Sequence, residues 1–137
     1  SFPMSIVTTW QGMAPKFQSL LRIVVAANFI THGTAKLFAV PYAVTGDGST
    51  VALLSQFGAA GILETVGGTL LLLGLCTRPI AFLLSGEMAV AYFQVHFQQS
   101  VWPWANGGEI VVLYCFTWLY FSAAGAGPIS LDAKLRS

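Results

Sequence analysis

Charge is what this chain has least of. Only 8% of its 137 residues are Asp, Glu, Lys or Arg, against about a quarter in a soluble domain. A chain that is 55% hydrophobic cannot cover a water-facing surface with so few polar groups. The formal net charge is +1 and no basic stripe exists, which excludes nucleic acid as a partner. Helices that merely lie on a bilayer need more charge than this. Cysteine is scarce too. Cys76 and Cys115 form no CxxC, no CxxCH and no zinc spacing, so they are expected to be buried thiols acting as small hydrophobes. The chain has no glycine-rich phosphate loop, no serine-hydrolase elbow and no Glu-x-x-His pair for a di-metal site, and no metal is expected. His32 and His96 fall at different depths on unmatched faces, which argues against haem and leaves no intrinsic cofactor. The opening residues lack the pattern of a secretory signal, so the first apolar segment is expected to stay as an anchor.

What the chain does have is four apolar runs, at about 18–40, 51–75, 78–98 and 108–124. Each is near the roughly 20 residues that cross a hydrocarbon core as helix. "PYAVTGDGS", "GLCTRP" and "QSVWPWANGG" break them with turn-forming residues. The expected fold is all-α: one domain over 1–137, an integral-membrane four-helix up-and-down bundle with short connectors. Lys16, Arg22, Arg78, Lys134 and Arg136 all fall at one end of such a bundle. That bias makes the end cytoplasmic, with both termini inside, and the lipid bilayer the first partner. The expected location is a bacterial inner membrane, multi-pass.

Ionisable residues inside a bilayer are candidate functional groups. Asn28, His32 and Lys36 repeat every four residues, beside a stripe of small residues at Ala27, Thr31, Ala35 and Ala39. That stripe should let another helix approach and turn the polar face inward. Glu64 stands in "GILETVGGTLLLLG", where the neighbouring glycines permit a close partner. Its expected partners are His32 and Lys36. Glu87 lies mid-way along the third run, beside a small-residue stripe at Ala81, Ser85 and Ala89. His96 should be about half a turn from the Glu87 face. Glu109 begins the fourth run after "NGG", where an acid gains from the helix dipole. The candidates form a middle tier of His32, Glu64 and Glu87 and an outer tier of Lys36, His96 and Glu109. They suit a proton relay or contact with a quinone head. Gly33, Gly67 and Gly68 are expected to serve helix packing. No catalytic residue is evident.

"LRIVVAANFITHGTAKLF", "ETVGGTLLLLGLCTRP" and "NGGEIVVLYCFTWLYFSAAGAGPISLD" together resemble the DoxX family of small four-helix bacterial membrane proteins. The matching positions are Gly33, Lys36, Glu64, Gly67, Gly68, Asn106, Gly107, Glu109, Gly125, Gly127 and Asp132. Relatives in that family include the membrane subunit of a thiosulfate:quinone oxidoreductase. The resemblance therefore implies a membrane anchor or subunit of a respiratory or redox complex, in contact with quinone and with other membrane or peripheral redox proteins. Two alternatives stand beside it: a small proton-coupled transporter, and a stand-alone quinone-modifying membrane enzyme.

Overall fold

The computed structural model describes residues 3–136, which are helical and contain no strand. The elements in order are α1 (Met4–Gln11), α2 (Ala14–Phe38), α3 (Gln56–Leu73), α4 (Thr77–Ala91), α5 (Pro103–Asn106), α6 (Glu109–Ala124) and α7 (Leu131–Arg136). α4 runs straight on into a π-helical turn, Tyr92–His96. The Phe97 amide closes that turn, donating to the Tyr92 carbonyl at 2.9 Å. α3 is long and apolar enough to cross a membrane by length and composition, and α6 is apolar but shorter. α2 is longer than α3, but it carries Lys16, Arg22 and Lys36.

Local chemistry sets several ends. Pro15 sits in the first turn of α2, where a missing amide costs nothing. α3 begins at Gln56 rather than at Val51, because Ser55 Oγ accepts the Gly58 amide at 3.0 Å. α3 stops at Gly74 in the left-handed region. α4 takes its cap from far along the chain. The Asp132 carboxylate accepts the Cys76 and Thr77 amides at 2.9 and 3.0 Å.

The long helices pair as two antiparallel hairpins, α2 with α3 and α4 with α6. In the first, Lys36 meets Glu64, Gly33 meets Thr65 and Gly68 meets Ile30. A Cβ on Gly33 would lie 2.6 Å from the Thr65 amide nitrogen and 2.8 Å from the Gly61 carbonyl. The two backbones therefore touch where glycine permits it. This contact runs along Ala26, Phe29, Gly33 and Lys36. The Ala27–Thr31 side expected to make it is exposed, and Asn28 there donates to the Val24 carbonyl at 2.9 Å. In the second hairpin Ala81 and Ser85 are buried, and Ser85 Oγ donates to the Cys115 carbonyl at 2.7 Å. α3 and α4 join the hairpins, with Gly67 against Leu84. Phe29, Tyr114 and Trp118 fill the shared core with edge-to-face contacts at 5.0 and 5.6 Å.

At the end carrying most basic residues, Arg22 departs from its expected place as a flanking charge. It is 1% exposed. Nε donates to the Leu71 carbonyl and Nη2 to the Ile129 carbonyl, each at 2.8 Å, and Nη1 donates to Ala126. One guanidinium thus satisfies carbonyls at the open end of α3 and in the returning tail. Ser19 Oγ adds to the clasp, donating to the Ala126 carbonyl at 3.2 Å and accepting the Ile129 amide at 3.0 Å. The "GAGPISLD" segment is a strap across this end of the fold. Cys76, expected to be buried, is exposed in the α3–α4 turn, and Cys115 is half-buried; both are free thiols.

Candidate functional site

Glu64 is turned into the protein, with its side chain 3% exposed. Lys36 Nζ donates to Glu64 Oε1 at 2.7 Å and to the His32 carbonyl at 3.3 Å. Side chains on a helix tilt toward its N-terminus, so the long Lys36 stem reaches back along α2 to the depth of Glu64. Two residues assigned to different depths by position alone therefore form one ion pair. Glu87 stands beside Glu64 from α4. Its Oε1 is buried and has no hydrogen-bond partner among the described residues. One cation thus faces two acids.

These groups line a central cavity of about 280 Å³ between the hairpins. His32, Lys36, Glu64, Glu87, His96 and Tyr114 all reach it. His32 packs edge-to-face on Tyr114 with ring centroids 5.4 Å apart. His96 joins through the π turn. An i→i+5 turn holds one more residue than an α turn, which carries His96 round to the cavity that Glu87 faces instead of half a turn away. Periodicity cannot reveal such an insertion.

The "NGG" piece holds His96 in place. Asn106 is buried, and its Nδ2 donates to the Tyr92 hydroxyl at 3.0 Å and to the Ser100 carbonyl at 2.9 Å. Its Oδ1 accepts the Gly108 amide at 2.8 Å, and its carbonyl lies 3.1 Å from His96 Nδ1. Gly107 takes φ +76, and a Cβ on Gly108 would meet the Cβ of His96 at 2.9 Å. The turn therefore needs glycine at both places. Glu109, just beyond it, is exposed. It does not line the central cavity, so the outer grouping of Lys36 with Glu109 does not form. Gly33 and Gly68 sit at α2–α3 contacts and Gly67 at the α3–α4 contact.

Two further cavities adjoin the central one. A cavity of about 370 Å³ lies between α3 and α4 and shares Phe57, Ala60, Glu87, Ala91 and Val95 with it. Another, of about 510 Å³, lies between α2 and α6 and shares His32, Ile110 and Tyr114. Among the described residues no three His, Cys, Asp or Glu side chains converge as metal ligands would.

The DoxX family model matches residues 17–97, the stretch that supplies Lys36, Glu64, Glu87 and His96. The chain belongs to the DoxX family. An uncharacterized protein of Haemophilus influenzae is 48% identical over 123 residues, covering 88% of this chain and 91% of its own length. No solved structure matches. DoxX is a membrane family, which is consistent with a membrane location for this chain. In this DoxX protein the sequence left three participants without their roles. Asn106 organises the turn beneath His96, Tyr114 supports His32, and Arg22 fastens the tail. Only the polarity of Asn106 and Arg22 within apolar surroundings could have flagged them.

Proposed function

We propose that this DoxX protein is a multi-pass inner-membrane subunit of a redox assembly that receives the head of a quinone in its central cavity. In this reading α2, α3, α4 with its π turn, and α6 are the membrane spans. Lys16, Arg78, Lys134 and Arg136 mark the cytoplasmic end, together with both termini. Large apolar side chains such as Val24, Val66, Phe82, Leu113 and Phe116 are exposed around the helices, a surface that suits acyl chains and not water.

The observation that carries the reading is the Lys36–Glu64–Glu87 cluster on the wall of a cavity whose remaining lining, apart from His32, His96 and Tyr114, is apolar or small. Ligand sites are mostly apolar with a few convergent polar groups. A one-ring dicarbonyl head fits that donor set. Lys36 Nζ is a charged donor for a carbonyl oxygen, and the Glu87 carboxyl on the same wall is an acceptor for a hydroxyl. One cation against two acids suits the cluster to holding and passing a proton. When bound, the quinone supplies two-electron, two-proton redox chemistry. Lys36 orients the head, Glu64 fixes Lys36, and Glu87 gives or takes the proton. The electrons come from a partner's cofactor.

The test is purification from native membranes in mild detergent, with identification of bound proteins and extraction of lipids. Co-purifying redox proteins and quinone support the reading. A chain that purifies alone, without quinone, contradicts it. Proton-coupled uptake by the purified chain that is lost in Glu64→Gln would make it a carrier instead.

A further inference from the structure

We propose that the ligand of the central cavity is a long-tailed amphiphile that enters sideways from the bilayer, its apolar tail lying in the cavity between α3 and α4. This rests on the head-binding reading above and adds the route and the class of ligand. The α3–α4 cavity, at about 370 Å³, adjoins the central one, and Phe57, Ala60, Glu87, Ala91 and Val95 line both. Beyond that junction its wall is apolar or small: Ala59, Leu63 and Val90. Gln56 and Gln94 also line it, but Gln56 Nε2 donates to Gln94 Oε1 at 2.5 Å. That bond pairs one donor with one acceptor and lowers the polarity the two amides present to a tail. Phe57, Val90 and Val95 are exposed on the outer side, so the cavity opens on the face that acyl chains would touch.

Glu87 stands at the junction of the two cavities. An amphiphile passing between α3 and α4 would carry its polar head past the Glu87 carboxyl, which lines both cavities, and would come to rest with its tail still in the gap. The π turn serves the same arrangement. It presents Gln94 and Val95 to the lateral cavity and His96 to the central one. The opposite gap, between α2 and α6, is lined by Asn28, His32 and Thr117. Asn28 there already gives its Nδ2 to the Val24 carbonyl, so His32 and Thr117 are the polar groups that an alkyl tail would cover.

Two photoreactive forms of decylubiquinone test this on the full chain in lipid nanodiscs. One carries an azide on the ring and the other a diazirine at the tail end, and the adducts are mapped by mass spectrometry. The expected result is ring adducts on central-cavity residues and tail adducts on Ala59, Leu63 or Val90, which line the lateral cavity and not the central one. Ring adducts in the central cavity with tail adducts on Val25, Leu113 or Thr117 would overturn the route while leaving the head site standing. Absence of saturable ring adducts would overturn both. Ala59→Trp fills the lateral cavity alone. It should weaken competition by decylubiquinone at least about tenfold, because the tail loses its exit, and leave labelling by a tailless ring azide unchanged. Equal effects on both probes would refute the route.

Discussion

Replacing Lys36 by Met removes the one cation that faces Glu64 and Glu87 while keeping the length of the side chain. The Glu64 side chain is 3% exposed and that of Lys36 15%, so the Glu64 charge is held away from water and the Lys36 charge reaches it only in part. Removing one partner of a fully buried pair costs about 3–5 kcal/mol. The partial exposure of Lys36 lowers the expected cost to about 2–4 kcal/mol. Glu64→Gln should cost less than Lys36→Met. Glu87 stands close to Lys36, so its carboxyl can ionise and partner the ammonium when Glu64 is neutralised. The Lys36→Met, Glu64→Leu double variant removes both charges and should return to within about 1 kcal/mol of the parent. Unfolding free energies by steric trapping or detergent titration supply all four corners of this cycle. A Lys36→Met protein within about 0.5 kcal/mol of the parent, or strictly additive variants, would refute the buried pair.

Gly33→Val places a branched side chain against the Thr65 amide and Gly61 carbonyl. It should cost about 3 kcal/mol or abolish folding, read by thermal unfolding in detergent, whereas Gly46→Val, with open space around it, should be neutral within about 0.5 kcal/mol. Arg22→Ala removes the donor of the Ile129 carbonyl and one of two donors each at the Leu71 and Ala126 carbonyls, which keep the Gly74 amide and the Ser19 hydroxyl. Limited proteolysis should then cut within residues 125–136, which the parent protects. Burial acts to raise the Asp132 carboxyl, but the Thr77 and Cys76 amides and the Arg136 charge outweigh it and hold it below the usual carboxylate range. The stability it contributes is therefore complete above about pH 4, the unfolded value, and fades as pH falls through the lower folded value. Asp132→Asn should remove this acid dependence and cost about 0.5–2 kcal/mol as a lost cap; an unchanged acid limb in the variant would contradict the cap.

Long helices were legible because apolar runs and turn residues alternate so plainly, and so was the burial of Glu64, since glycines crowd it. The ion pair with Lys36 was legible as a facing surface but not as an equal depth. Helical position gives the Cα, and the four-carbon stem of lysine moves the charge along the helix. His96 was misplaced because the π turn at Tyr92–His96 breaks the period on which face assignments depend. Arg22 looked like a flanking charge because counting basic residues says nothing of the carbonyls that a returning tail brings. The Asp132 cap on α4 joins residues too far apart in sequence for any local motif to reveal.

The measurement that bears most directly on the central cavity is equilibrium binding of decylubiquinone to the chain in quinone-free nanodiscs, beside the Lys36→Met, Glu64→Leu variant. That variant is expected to fold, so a loss of binding reads on the site and not on the scaffold. Saturable binding by the parent at one molecule per chain, weakened at least about tenfold in the variant, is the predicted result. Equal, unsaturable partitioning into both would contradict a ligand held by these charges.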